Sequence, residues 1–554
     1  MPATDANAAI YYQHEAFSTE VAKLMGRNAA GAGFLSGFAR HAEVERFIGY
    51  AKDRKEFERF RAHLGAHSPR EAAWVPHGDL AGLARAGALF VYSPGVGEFC
   101  WQRRFLDEAA YSVVGLTHTI SSDRVMQDFG DLLVAPVQPW DALVCTSLAV
   151  RRTLEGVLQN WGAYLAERFG APPPAPRLEL PVIPLGVDCD AFPERERSAK
   201  ARARFRQRHA IGDKDVAFMF LGRLSFHAKA HPLPMYLALE QAARRTGRRL
   251  LFVLCGYYFN DSIRRQFAEG AKLYCPSVRV LQVDGRKPEL RAAAWAGADV
   301  FLSFSDNIQE SFGLAPVEAM AAGLPAVVSE WDGYRDTVVH GETGFCVPTA
   351  MPEPGHGAEF ALRYLAQLDT YDLYIGRTGQ CTAVDVPAAV EACVALIGDA
   401  QLRARMGEAG RSRARRVFDW SVVVRAYQAL WAELAAIRRA AGRRPGKGHP
   451  LRDDPFRLFR VFPSHAIGSD SGVEALAADP AAEAKRIARA DMNSFALAFM
   501  LGADEFRALF AALPRGRKCR VRELEALFAP RRRSALLRSL GWLAKGGVIR
   551  VGPL

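Results

Sequence analysis

Residues 300–329 constrain the fold of this chain more than any other stretch. The apolar run Val300-Phe301-Leu302-Ser303-Phe304 reads as a buried strand. A polar loop follows, and then the string ESFGLAPVE at residues 310–318 opens a helix. Pro316 is tolerated there, because the first turn of a helix has N–H groups without intrahelical partners anyway. Gly323-Leu324-Pro325 stops the helix, and Ala326-Val327-Val328-Ser329 reads as the next buried strand. This order predicts one unit of a parallel sheet. Its loop falls at the carboxyl end of a strand, where doubly wound sheets bind ligands.

The same alternation runs through two halves of the chain. In the first, strands are expected at residues 8–13, 43–50, 88–92, 111–116, 141–145 and 180–185. A charged helix is expected over 53–64, and Thr146-Ser147 caps another from Leu148. In the second half, strands are expected at 216–221, 249–255, 278–283, 299–304 and 326–329, with helices over 234–246 and 289–296. Strands alternating with helices imply a parallel sheet covered on both faces. The expected fold class is therefore α/β: two Rossmann-like domains facing a cleft, plus a mainly helical, winged-helix-like C-terminal extension. Residues 1–187 make the first domain and 188–442 the second, including its closing helices. Residues 443–450, rich in Arg, Gly and Pro, read as a linker, and 451–554 as an appended domain. There, two helices (521–528 and 532–545) and a strand (548–551) resemble half of a winged helix. Residues 350–385 read as an insertion.

One further stretch points to a ligand. Residues 24–33 carry Gly26, Gly31 and Gly33 between an expected strand and a helix. A glycine-rich turn there can cradle a phosphate or sugar, because its backbone N–H groups can approach the ligand closely.

Composition narrows the class. The 554 residues suggest about three or four domains of roughly 150 residues each. With 49% hydrophobic residues, a sizeable core can be buried. No run of about 18 apolar residues predicts a spanning helix. The first residues lack a basic segment followed by an apolar one, so no signal peptide is expected and a cytoplasmic location is. Nine cysteines without a CxxC pair fit reduced thiols and speak against a structural zinc site. The net charge of +12 suits anionic ligands, an acidic membrane surface or nucleic acid. Basic clusters at 194–208, 438–447 and 515–538 read first as solvated faces and linkers.

Several motifs occur together in order. Gly222-Arg223-Leu224 is followed by Lys229, and the ESFGLAPVE string by Gly341-Glu342-Thr343-Gly344-Phe345. The tail carries Gly407, Gly410 and Phe418-Asp419-Trp420. With two Rossmann-like halves, this set resembles the retaining glycosyltransferases of family four, of GT-B fold, over roughly residues 8–441. The resemblance implies transfer of a sugar from a nucleotide-diphosphate sugar and assigns roles. Arg223 and Lys229 would bind the diphosphate, as a guanidinium fork and an ammonium can. Phe312, Gly313 and Leu314 would offer sugar and phosphate the open start of a helix. Glu310 would bind donor-sugar hydroxyls and Glu318 the ribose. His118 would hydrogen-bond near the reacting sugar. The loop with Gly26, Gly31 and Gly33 would close over the acceptor or the donor phosphate. Arg286, in Asp284-Gly285-Arg286, lies where the family holds the base. The chain departs from the family's plain Lys-Gly at Phe226-His227-Ala228-Lys229-Ala230-His231.

No catalytic nucleophile is assigned. Retaining glycosidases use a close carboxylate pair. In this family the leaving phosphate is generally thought to take the acceptor proton, with electrostatic stabilisation carrying most of the rate. That scheme implies no metal and no cofactor beyond the nucleotide sugar as co-substrate. Asp188-Cys189-Asp190 spells D-x-D, but it follows Gly186-Val187 and reads as an interdomain segment. The implied acceptor is a glycan, a lipid-linked group or another hydroxyl, in polysaccharide or glycoconjugate assembly. Basic patches suit peripheral docking at the inner membrane face. The alternative is a lapsed transferase acting as a scaffold, binding protein or nucleic acid through its C-terminal domain. Intact Arg223, Lys229, Glu310 and Glu318 argue against lapse. Lys518, Arg520, Arg522 and Arg531-Arg532-Arg533 leave a basic footprint. Winged helices often mediate protein contacts, however, so nucleic acid is not the expected partner. The sequence carries no signal of oligomeric state.

Overall fold

Two parallel sheets with the same strand order organise the chain. The structure is a computed structural model and describes residues 4–19, 26–194, 197–513 and 516–553. The first sheet comprises Ala9–Tyr11 (β1), Phe47–Ala51 (β2), Ala72–Pro76 (β3), Ala88–Val91 (β4), Ser112–Leu116 (β5) and Ala142–Val144 (β6). Its order is β3-β2-β1-β4-β5-β6. The second comprises Val216–Leu221 (β7), Leu250–Gly256 (β8), Arg279–Asp284 (β9), Val300–Ser303 (β10), Ala326–Ser329 (β11) and Gly344–Val347 (β12), in the order β12-β11-β10-β7-β8-β9. Each order reverses at one place, between β1 and β4 and between β7 and β10. Such a switch point leaves a crevice at the carboxyl ends of its two strands. Strands β4, β5, β8, β10 and β11 are buried at every position, as continuous apolar runs in covered parallel sheets are.

The structure differs from the sequence reading in five places. Residues 180–185 make only isolated bridges beside β6, such as Cys145 to Val182, because Pro181 and Pro184 lack the N–H a ladder needs. The sixth strand of the first sheet is β3 instead, on the opposite edge. The second sheet gains β12, whose Gly344 backbone runs so close to β11 that a Cβ there would lie 2.0 Å from Ala326 O. The insertion is ordered: a short hairpin pairs Thr349–Ala350 with Ala383–Val384 and encloses helices Ala358–Leu365 and Tyr371–Gln380.

The fourth difference concerns the glycines. Gly31 and Gly33 lie inside a regular helix, Gly26–His41, and form no loop; Leu24 and Met25 lie outside the described residues. The glycines serve close packing. A Cβ on Gly31 would strike Ala16 O at 2.3 Å, and one on Gly33 would press on the Trp420 ring at 3.2 Å.

The fifth concerns the helix Trp420–Ala441, which the sequence groups with the second domain. It packs on the first. Trp420, Val423, Val424, Tyr427, Trp431 and Leu434 form its buried stripe at helical spacing. They share a core with Phe34, Phe38 and Phe90. The chain thus crosses back, and Gly33, Gly37 and Gly186 all make room for Trp420.

By contacts the chain divides into two compact units, Met1–His449 and Pro450–Leu554. The second holds a three-stranded antiparallel sheet, with Gly472–Ala475 between Cys519–Arg520 and Ile549–Gly552, packed against helix Arg533–Lys545. Among the described residues, no helix is long and apolar enough to cross a membrane.

Candidate active site

The second switch point brings Lys229 and Glu310 together, whereas Arg286 stands apart at the end of the edge strand β9. Strand β7 ends at Leu221 and hands the chain to the turn carrying Arg223; β10 ends at Ser303 and leads to Glu310. Because β7 and β10 are paired neighbours, their trailing loops meet. Lys229 Nζ lies 2.8 Å from Glu310 Oε2, with the glutamate side chain 11% exposed and the lysine 33%. The loops are tied at further points. Asn307 Nδ2 donates to His227 O at 2.8 Å, and His231 N donates to Asp306 Oδ1 at 3.3 Å. Arg223 reaches across its own loop to Ala228 O at 3.1 Å. Lys229 thus lies beside Glu310 even though residues 226–231 depart from the family's Lys-Gly.

Gly313 starts the helix Leu314–Ala321 at φ +86, which favours glycine, and a Cβ there would sit 2.1 Å from the Tyr334 ring. The first N–H groups of this helix have no intrahelical partner, so its open end can face an anion. Phe312 is buried with its ring against Phe418, so only its backbone is available to a ligand. Glu318 lies one turn into the helix. Burial raises its pKa to about 7, against the opposing charge of Arg291. Arg286, at the end of β9, pairs with Asp284 at 2.9 Å and lies over the Tyr257 ring.

The first domain contributes from the end of β5. His118 is half-buried beside Tyr92, and its Nε2 lies 3.2 Å from Tyr92 O. A carbonyl only accepts, so Nε2 carries the proton and Nδ1 keeps its lone pair. Burial, opposed by the Tyr92 hydrogen bond and aided by the nearby Arg27 charge, holds the pKa of this ring down to about 4. Gly26 begins the helix that carries Arg27. Gly31 and Gly33 stand deeper in that helix, against Ala16 and Trp420, and do not join the charged cluster.

Contacts between the two Rossmann-like domains were not legible in the sequence. The Tyr371 hydroxyl, on the insertion, lies 2.7 Å from Ser121 Oγ and 3.2 Å from Thr119 Oγ1, next to His118. Thr146 Oγ1 donates to Ser311 O, and Ser147 Oγ donates to Asp332 Oδ1 at 3.3 Å. Asp332 itself is a residue that sequence reasoning missed. The available signal was an Asp-Gly turn directly after a buried strand. Burial raises its carboxyl pKa to about 7, and the charge of Glu310 adds to the rise.

Comparison with known proteins agrees with these motifs. Residues 201–354 match the family model described as "Glycosyl transferases group 1". A phosphatidyl-myo-inositol mannosyltransferase of Mycobacterium tuberculosis is 28% identical over 264 residues, 47% of this chain and 56% of that protein. A D-inositol 3-phosphate glycosyltransferase of Geodermatophilus obscurus is 28% identical over 334 residues, 57% of each chain. The chain thus spans a little over half the length of these curated relatives. Among solved structures, Anabaena Alr3699/HepE in complex with UDP and glucose aligns with a TM-score of 0.47 at 15% identity, covering 76% of this chain and 98% of that one.

Proposed function

We propose that this chain, whose residues 201–354 belong to the glycosyl transferases group 1, moves a glycosyl group from a nucleotide-diphosphate sugar to a hydroxyl acceptor with retention of configuration. The observation that carries the proposal is the meeting of Lys229 and Glu310 at the switch point of the second sheet. A cation for the diphosphate and a carboxylate for sugar hydroxyls stand side by side there, the carboxylate three residues before Gly313, which starts helix Leu314–Ala321. The acceptor oxygen attacks the anomeric carbon as the bond to the diphosphate breaks. The acceptor proton passes to a departing phosphate oxygen. Arg223, Lys229 and the helix amides take up the developing charge, which is where most of the acceleration arises. Glu310 holds the sugar, Glu318 the ribose, and His118 offers Nδ1 to a hydroxyl. Arg286 and Tyr257 flank the base. In this scheme the chain supplies the neutralising cations itself, without a metal.

The names of the two curated relatives both involve inositol, which favours a polyol hydroxyl, free or lipid-linked, as acceptor. Peripheral contact with an anionic membrane face would serve a lipid-linked one. The test is a screen of UDP- and GDP-sugars with the full-length protein, read by thermal shift and then by release of nucleotide diphosphate. Product stereochemistry by NMR decides retention. Absence of both stabilisation and turnover across the donor panel would refute the proposal.

A further inference from the structure

The turn after β11 contributes a second carboxylate to the same wall. Three non-glycine residues among those described have positive φ: Ala210, Asp332 and Gln367. Only Asp332, at φ +44, belongs to the site. Non-glycine side chains are uncommon at this backbone setting, although aspartate, asparagine and histidine are enriched there. Such strain persists only where surrounding structure imposes it, and it gathers at functional positions. Here the surroundings do impose it. Trp331 Nε1 donates to Asn307 O at 3.1 Å. Gly333 packs so closely that a Cβ there would lie 2.5 Å from Phe312 Cα, and the Tyr334 ring fills the space beside Gly313. The turn is thus riveted at three points to the loop that carries Glu310.

The carboxylate is only partly used. Oδ1 accepts from Ser147 Oγ of the first domain, whereas Oδ2 is sealed from solvent with no hydrogen-bond partner in the structure. A buried acceptor left unpaired costs free energy, and native structures retain one only for a reason. Ser147 belongs to the first Rossmann-like domain and Asp332 to the second, so this carboxylate stands where the two domains meet. Its neighbour Glu310 already has Lys229 as cation. An uncharged donor group, such as a sugar hydroxyl, is what this oxygen lacks.

We infer that Asp332 is a specificity-determining residue that accepts a hydrogen bond from a donor-sugar hydroxyl other than the one held by Glu310. The inference rests on the transfer reading above. In the unliganded protein Ser147 occupies one carboxylate oxygen, and the sugar hydroxyl takes the other. The φ +44 turn aims the carboxylate at the sugar at the expense of fold stability.

The experiment uses the full chain, the nucleotide sugar that the turnover screen selects, and its 2-, 3-, 4- and 6-deoxy forms. Asp332→Gly removes both the carboxylate and the strain, and Asp332→Asn keeps the shape with one oxygen. Both variants should melt no lower than wild type. The kcat/KM of Asp332→Gly for the parent donor should fall by about 10- to 100-fold, the usual worth of a hydrogen bond to a charged group. For one deoxy donor, the one lacking the contacted hydroxyl, the variant and wild type should turn over alike. Equal kcat/KM for Asp332→Gly and wild type on the parent donor would overturn the inference alone. So would an equal loss on every deoxy donor, or a Ser147→Ala variant that reproduces the whole defect, because Asp332 would then be only a brace. A wild-type protein that turns over no donor defeats the transfer reading, and this inference with it.

Discussion

Lys229 Nζ stands 2.8 Å from Glu310 Oε2 across the crevice between the loops that follow β7 and β10. The two residues are 81 positions apart in sequence. They meet because β10 returns to lie beside β7, and the chain reverses its strand order there.

Each member of this pair should be required for turnover. In the proposed reaction, Lys229→Ala removes charge from the diphosphate, and Glu310→Ala removes the sugar's acceptor. Each is expected to lower kcat by roughly 10²- to 10³-fold, the range for removing one electrostatic contact from a transition state. The double variant should be little worse than the weaker single one, since the two act as a unit. Steady-state kinetics on folded variants, checked by circular dichroism, decide this; wild-type turnover in either single variant contradicts it.

Glu318 should give the fold a pH dependence. Its carboxyl is raised from an ordinary 4.5 to about 7 by burial. Between those values the folded chain holds a proton that the unfolded chain has released, so stability falls as pH rises through the window. Glu318→Gln removes this slope. The variant's Tm relative to wild type should therefore increase from pH 5 to pH 8. A Tm difference that stays constant with pH rules the effect out.

His118 should stay neutral throughout the working range. Burial lowers its pKa from 6.5 to about 4. The unfolded chain binds the proton first, so this residue's contribution to stability is present above 6.5 and is lost as pH falls towards 4. NMR of the labelled imidazole should show no titration of this ring between pH 5.5 and 8. A midpoint near 6.5 would mean that the ring is solvated and the Tyr92 contact absent.

Gly37 tests the packing of the returning helix. A Cβ there would lie 2.6 Å from Trp420 Cγ. Gly37→Ala should cost about 1–3 kcal/mol, the usual cost of overpacking a filled core. Urea denaturation measures it. An unchanged midpoint would show that Trp420 can move aside, and that the helix Trp420–Ala441 is not clamped to the first domain.

Much of the second domain was open to reading. Its strands are short apolar runs that end at glycines or polar turns, and period and punctuation are local properties. The helix start at Gly313 and the acids around it were legible for the same reason. The glycines at 26, 31 and 33 misled because glycine serves two purposes, freedom to turn and room to pack, and a string does not say which. Gly33 makes room for Trp420, nearly 400 positions away, and Gly31 for the Ala16 backbone. Likewise β3 went unread, since its pattern Ala-Ala-Trp-Val-Pro is half-exposed at a sheet edge, and prolines gave residues 180–185 the look of a strand without the N–H groups to be one.

The sequence by itself determined the α/β alternation and the two halves, which follow from an apolar periodicity that each segment carries alone; the candidate residues for a nucleotide sugar came from the resemblance of its motifs to a family. Only the tertiary structure decided that Lys229 faces Glu310, that helix Trp420–Ala441 belongs to the first domain's core, and that Asp332 turns an unpaired oxygen onto the seam between the domains. Each depends on which strands become neighbours and on how closely two backbones approach. Those distances are set by packing between segments far apart in the chain.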